Sequence, residues 1–227
     1  DVGDGSKDPS FISNFPVDFG FYKQPASSDS WYTGSRLMGT KYLKTETNAA
    51  EATSTNFAWD YSDGWRITGL SSAWQSWMWK RHKGFDIQRY TGKTGQQSRL
   101  HGLNAVPEMI WAKSTNNAYE WAIGHKDLTG GWTSKHLRFT TAAEITGQQF
   151  AEAPTSKHWT TPNGALVNDN GEEYVALLFR SITGISKVGS YTGTANTAQS
   201  ISLGFRPRFI IIKNATGTAD NWTTGWF

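Results

Sequence analysis

Val17, Phe19 and Phe21 alternate with Asp18, Gly20 and Tyr22, and that period of two predicts a strand with one buried face. Two later segments, Glu108-Met109-Ile110-Trp111-Ala112 and Arg208-Phe209-Ile210-Ile211-Ile212, are more continuously apolar, as expected of central strands covered on both sides. These two end at Lys113 and Lys213. A proline (Pro16, Pro107, Pro207) precedes each of the three segments, a place where no ladder hydrogen bond has to be donated. After a polar loop, tryptophan announces the next strand in Ser30-Trp31-Tyr32, Glu120-Trp121-Ala122 and Asn221-Trp222-Thr223, so each loop and its flanks read as a hairpin. Glu173-Tyr174-Val175-Ala176-Leu177-Leu178-Phe179 is the clearest strand, and residues 74–80, filled by Trp74, Trp77 and Trp79, are its earlier counterpart.

Between these strands the polar positions predict two further features. Asn168-Asp169-Asn170-Gly171 reads as a tight turn joining residues 164–167 to the strand that starts near Tyr174, because Asn and Gly tolerate positive φ. Asn48-Ala49-Ala50-Glu51 and Thr141-Ala142-Ala143-Glu144 have capping-box spacing, which predicts one helical turn in each. No longer stretch has helical periodicity, so the pattern is that of an antiparallel sandwich or jelly roll.

The elements repeat. Tyr90-Thr91-Gly92 returns as Tyr191-Thr192-Gly193, and Pro107, Lys113 and Trp121 return as Pro207, Lys213 and Trp222, a period near one hundred residues. Slips of one residue belong in surface turns. A shorter first copy places Pro16, Trp31 and Trp77-Met78-Trp79-Lys80 in the same order. The expected organisation is all-β, with tandem antiparallel β-sandwich (jelly-roll-like) modules and a short helical turn in each. Residues 1–83 form the first module, N-terminally incomplete, and residues 84–183 the second. Residues 184–227 begin a third copy, truncated or packed on the module before it. A start at Asp1 and an end at Gly225-Trp226-Phe227 read as a piece of a longer protein.

Composition sharpens this picture. Twelve Trp, twelve Phe and eight Tyr stand beside three Met, a balance that suits pleated surfaces. With no Cys, disulfides and thiolate metal sites are excluded. The 22 basic and 19 acidic residues leave +3; the basic residues are scattered, and their densest run, Lys80-Arg81-His82-Lys83, sits at a strand end. This argues against nucleic acid, which needs cations focused on one face. No signal peptide or apolar membrane-spanning run is present, and no membrane insertion is expected.

Candidate chemistry is sparse. The carboxylate pairs that glycoside cleavage would need are Asp60 with Asp63, Glu172 with Glu173, and Glu108 with Glu120, each equally readable as a turn or strand-end residue. Asp60 and Asp63, or Asp1, Asp4 and Asp8, offer oxygen ligands without the spacing of a calcium loop. The five histidines lack metal-ligand spacing and no serine sits in a nucleophile elbow, so no metal, cofactor or catalytic residue is assigned. Tryptophan is the richer signal, because an indole face serves both a core and a sugar platform. Trp31, Trp121 and Trp222 recur and read as packing. Among the tryptophans that do not recur, Trp65, Trp132 and Trp159 are the candidates for contact with a ligand or partner.

Taken in order, several elements resemble a repeated β-module of bacteriophage tail fibre and tail appendage proteins, found mainly in phages of marine bacteria. They are Gly34-Ser35-Arg36-Leu37-Met38-Gly39-Thr40-Lys41-Tyr42-Leu43, Asn48-Ala49-Ala50-Glu51, Trp59-Asp60-Tyr61-Ser62-Asp63-Gly64-Trp65, Glu173-Tyr174-Val175-Ala176 and Ser190-Tyr191-Thr192-Gly193. The first copy departs from the pattern by lacking Tyr-Val-Ala. The second has Trp159-Thr160-Thr161-Pro162 in place of the acidic loop, so a site on Asp60 and Asp63 would occur once. The resemblance implies a structural and adhesive virion component that contributes to host-surface attachment and has no known catalytic centre. Self-association as a homotrimer would close sheet edges; other tail proteins and host surface glycans are the further partners. A carbohydrate-binding, lectin-like module and a polysaccharide-degrading tailspike are the alternatives.

Overall fold

The computed structural model describes residues 1–140, 143–217 and 222–226. They are all-β, without a helix. Residues 1–83 supply β1 (Phe11–Ile12), β2 (Phe19–Lys23), β3 (Tyr32–Ser35), β4 (Lys41–Lys44), β5 (Ala52–Thr53), β6 (Phe57–Ala58), β7 (Gly64–Ile67) and β8 (Gln75–Trp79). The next hundred supply β9 (Phe85–Thr91), β10 (Gln97–Leu100), β11 (Met109–Ser114), β12 (Ala122–His125), β13 (Lys135–His136), β14 (Ile145–Thr146), β15 (His158–Thr161) and β16 (Glu173–Phe179). The last copy contributes β17 (Phe209–Ile212) and β18 (Thr223–Trp226). Every pairing is antiparallel.

Two large sheets carry the fold. One runs β5-β4-β3-β2-β8, the other β12-β11-β16-β9. The proline-led strand occupies the same place in both: β2 lies between β3 and β8, and β11 between β12 and β16. Registers agree as well, since Phe19 faces Trp79 as Met109 faces Phe179. Each sheet has an outer layer, β1-β7-β6 for the first and β10-β15 for the second. There Phe11 faces Trp65 and Arg99 faces Trp159.

Both faces of each large sheet are apolar, and alternation along the strands sorts the side chains. Outward-facing Tyr22 of the first sheet packs with Trp59 and Trp65, and Ile110 and Leu178 of the second pack with Trp132, Phe150 and Trp159. Inward, the two sheets meet in one core that holds Phe19, Phe21, Leu43 and Trp77 together with Phe85, Ile87, Trp111, Ile123, Val175 and Leu177. The third hairpin joins the same core through Phe209, Ile211 and Trp222. Phe209 lies 5.5 Å from Trp77 and 6.5 Å from Phe21, and Trp222 lies 5.1 Å from Phe139. The three copies therefore surround a single aromatic interior, in which each ring pair adds about 0.5–1.5 kcal/mol beyond area burial.

Successive copies are joined by a seam that occurs twice with the same atoms. The Trp121 indole N–H donates to the Lys44 carbonyl at 3.1 Å, and the Trp222 indole N–H donates to the Arg138 carbonyl at 2.6 Å. The Glu51 amide donates to the Thr115 carbonyl at 2.7 Å, and the Glu144 amide to the Ala215 carbonyl at 2.9 Å. Trp121 and Trp222 thus do more than pack, since each pins its own copy to the preceding one.

Two local expectations are corrected. Residues 48–51 form no helical turn: the Glu51 amide is spent on Thr115, and its carboxylate pairs with Lys41 at 3.3 Å and Arg89 at 3.7 Å. These tertiary partners outweigh a capping box worth about 1 kcal/mol. The second quartet begins at Thr141 and Ala142, and these, like Asn221 of the last hairpin and Phe227, lie outside the described residues. Residues 164–167 form no strand either. They close a tight loop in which the Asn168 amide donates to the Gly164 carbonyl at 2.7 Å, while Gly171 takes the positive φ of 82° expected of the turn.

The lysine that ends the central strand has a mechanical part. Lys113 is fully buried, and its Nζ donates to the carbonyls of Ser114 at 2.6 Å and Asn117 at 3.1 Å, holding the loop to β12. Lys23 does the same to the carbonyl of Asp29. Burial pushes the Lys113 ammonium down from 10.5 to about 8, against the upward pull of Glu120 and Glu51.

Two outcomes are expected. Trp121→Phe removes one seam donor and should lower unfolding free energy by about 1–2 kcal/mol in urea titrations. In the second, the folded pKa of Lys113 lies below the unfolded one, so its burial is most costly below about pH 8. Between about pH 8 and 10.5 the unfolded chain binds the proton that the folded chain has released, so stability rises with pH in that window. Wild type should therefore gain on Lys113→Met between pH 7.5 and 10.

Candidate functional site

The three tryptophans singled out as ligand contacts are enclosed. Trp65 is 0% exposed, stacked on Trp59 at 4.4 Å and 10°, with Phe11 on it at 5.4 Å and its indole N–H on Ser76 Oγ at 3.1 Å. Trp159 is also 0% exposed; its N–H donates to Gln88 Oε1 at 3.0 Å, and Tyr90 meets its ring edge-on at 5.6 Å. Trp132 is buried against Phe150 at 5.4 Å, over Gly124, where a Cβ would stand 2.6 Å from the Trp132 ring. None of the three presents a free face for a sugar. Trp65 and Trp159 are moreover counterparts, each lining the outer layer of its own sheet. Different loop lengths before them hide that equivalence in the sequence.

The carboxylates are likewise engaged separately. Asp60 pairs with Arg36 at 3.1 Å and is otherwise in solvent. Asp63 is exposed, and its main-chain carbonyl accepts from the Ser13 and Asn14 amides. Glu172 accepts from the Asn117 side-chain amide, Glu173 from the Thr91 hydroxyl at 2.7 Å, and Glu108 from the Ser181 amide. Around the N-terminus, Asp1 accepts from the Ile12 amide at 2.7 Å and Asp8 pairs with Arg66 at 3.2 Å. Hydrogen bonds from Ser6 help hold the Asp4 carboxyl below its ordinary range. Asp1, Asp4 and Lys7 rim an open cleft of about 770 Å³. Among the described residues, no three His, Asp or Glu side chains gather as a metal site would require.

One polar cluster is buried. The Arg99 guanidinium lies 4.0 Å over the Tyr90 ring and donates to Asn168 Oδ1 at 2.9 Å and Thr161 Oγ1 at 2.5 Å. Burial lowers its pKa, with Tyr90 and Tyr174 acting in the opposite sense. Asn168 completes the set by donating to the carbonyls of Gly95 at 2.7 Å and Pro162 at 3.0 Å. Its donors and acceptors are matched internally, so the cluster locks β10 and β15 to the Asn168 loop and leaves no group aimed at a substrate.

The third hairpin is less covered than its counterparts. In β11, Ile110, Trp111 and Ala112 are buried, whereas Phe209, Ile210 and Ile211 of β17 are half-buried and Ile212 is 38% exposed. β17 pairs with β18, and among the described residues no strand lies on its other edge, where β8 and β16 sit in the earlier copies. Trp31, the counterpart of Trp121 and Trp222, is half-buried, and its indole nitrogen has no partner among the described residues.

If Trp159 is a core residue, Trp159→Ala should cost about 3–5 kcal/mol of stability in chemical denaturation. A ligand platform would instead lose binding with little change in stability.

No curated protein and no solved structure matches the chain. Residues 2–224 match a family described as "Domain of unknown function (DUF7483)". That match runs through all three copies of the repeat, and the chain therefore belongs to the DUF7483 family.

Proposed function

We propose that the chain is a structural and adhesive module of a bacteriophage tail fibre or tail appendage, part of a virion and contributing to host-surface attachment. The twice-made seam carries this reading. Indole N–H to carbonyl and glutamate amide to carbonyl recur between successive copies, so the chain is built for packing unit on unit. The assignment to a phage appendage draws on the resemblance of the repeat, including Gly34 to Leu43 and Ser190-Tyr191-Thr192-Gly193, to tail modules. Packing around a shared aromatic interior suits a part that must resist shear. Sugar binding through Trp65, Trp132 and Trp159 forms no part of this reading, since those rings are enclosed; a host glycan would have to meet other residues.

Association as a homotrimer belongs to the proposal, since like subunits would cover the free edges of β9 and β10 and exposed residues such as Leu100, 79% accessible. Sedimentation equilibrium at micromolar concentration should give the mass of three chains. A well-folded monomer over that range would overturn it.

A further inference from the structure

The tryptophan rings suited to a sugar platform are enclosed, so contact with a partner falls to charge. Many cations are engaged internally. Lys41 and Arg89 pair with Glu51, Lys135 with Glu144, Lys126 with Asp127 and Arg66 with Asp8, while Lys23 and Lys113 are turned onto main-chain carbonyls. One end of the molecule is different. There β8 passes to β9 through Lys80-Arg81-His82-Lys83, all four exposed. The Arg180 amide donates to the Gly84 carbonyl at 3.0 Å, and a Cβ on Gly84 would stand 2.8 Å from Ile182, so the loop after β16 lies against that turn. It adds Arg180 and exposed Lys187. On the other side, the Arg81 and Arg36 guanidinium groups share the Asp18 carboxylate at 3.7 and 3.9 Å. Arg36, Lys80, Arg81, Lys83, Arg180 and Lys187, from three separate turns, thus form one strip that crosses from the first copy to the second. The carboxylates that touch it are Asp18, Asp60 on Arg36, and Glu108, which accepts from the Ser181 amide. Six cations against three carboxylates leave three positive charges, the whole formal surplus of the chain, so acids and bases elsewhere are equal in number. Lys80, Lys83 and Lys187 have no carboxylate partner among the described residues. Four basic residues in a row would be an ordinary solvated turn; tertiary folding is what sets Arg36, Arg180 and Lys187 beside them. Ile185, 64% exposed in the loop between Arg180 and Lys187, adds an apolar surface.

We propose that this strip is the contact surface for a linear acidic polysaccharide. The choice of a glycan rests on the adhesive reading above, and the strip supplies the residues that the buried tryptophans do not. Guanidinium groups meet sugar carboxylates through paired N–H bonds, and ammonium groups meet them as point charges. Ile185 covers the C–H face of a ring between them. The cations follow one another across two copies, which suits a polymer of repeating charge. Nucleic acid fits less well. Single strands need exposed aromatic rings for their bases to stack on, and none of these six cations or Ile185 is aromatic. Among the described residues no helix is present to enter a groove.

The strip lies within one chain and does not depend on the homotrimer. Polygalacturonate serves as probe and neutral dextran as control, each added to the full 227-residue chain at low ionic strength and followed by calorimetry. Saturable binding of polygalacturonate is expected, with none of dextran, and it should fade as salt is raised. Lys80→Gln with Lys83→Gln should weaken binding by about tenfold. Lys7→Gln with Lys93→Gln removes the same charge from exposed sites toward the far ends of β8 and β9 and should leave binding unchanged. Three results would overturn the proposal: no binding of polygalacturonate, an equal loss in the two double variants, or tighter binding of a DNA oligonucleotide of matched charge. A monomer that binds the polysaccharide contradicts the homotrimer alone, and a trimer indifferent to it contradicts the strip alone.

Discussion

A sheet that is apolar on both faces has to be covered twice, and the two large sheets here are of that kind. Their outer faces are covered from within the same copy, by the layers that carry Trp65 and Trp159. Their inner faces have no cover of their own and can be buried only against each other and against the third hairpin. Everything else follows from that need. The central strands follow a proline, which has no ladder hydrogen bond to donate, and Lys23 and Lys113 at the far ends of β2 and β11 hold the loops that follow. Fully buried Phe19, Phe85, Ile87 and Leu177 come from different copies yet fill one interior. The hydrophobic gain from such burial, about 25 cal/mol per Å² of apolar area, is available only when copies meet.

The seam converts this general attraction into a particular geometry. Apolar faces alone would permit sliding, whereas an indole N–H aimed at one carbonyl and a main-chain amide aimed at another leave a single arrangement. That the same four groups appear at both seams explains why tryptophan recurs where other aromatic residues would serve the core equally well. Phenylalanine lacks the donor.

Much of this was legible in the chain. Alternation at Val17 to Phe21, the runs around Ile110 and Ile210, and the strand ending at Phe179 gave the all-β class and the central strands directly. What the sequence hid was long-range. The capping-box spacing at Asn48 to Glu51 is a local signal, and it lost to Lys41 on the neighbouring strand and to Arg89 and Thr115, which are distant in sequence. Trp65 and Trp159 looked unrelated because the loops before them differ in length, though they occupy equivalent places. Burial of those rings, and of Trp132, could not be told from exposure by residue type, since indole suits a core and a binding face alike. The asparagine loop at Asn168 is satisfied by Gly95, Pro162 and Arg99, contacts that no turn rule contains.

The account rests on the copies sharing one interior. Urea unfolding followed by hydrogen exchange and mass spectrometry tests this directly, with β2 reporting on the first copy and β11 on the second. A shared core predicts that amides in both strands lose protection at the same urea concentration, as one cooperative unit. Loss of protection in β2 while β11 stays protected, or the reverse, would contradict it.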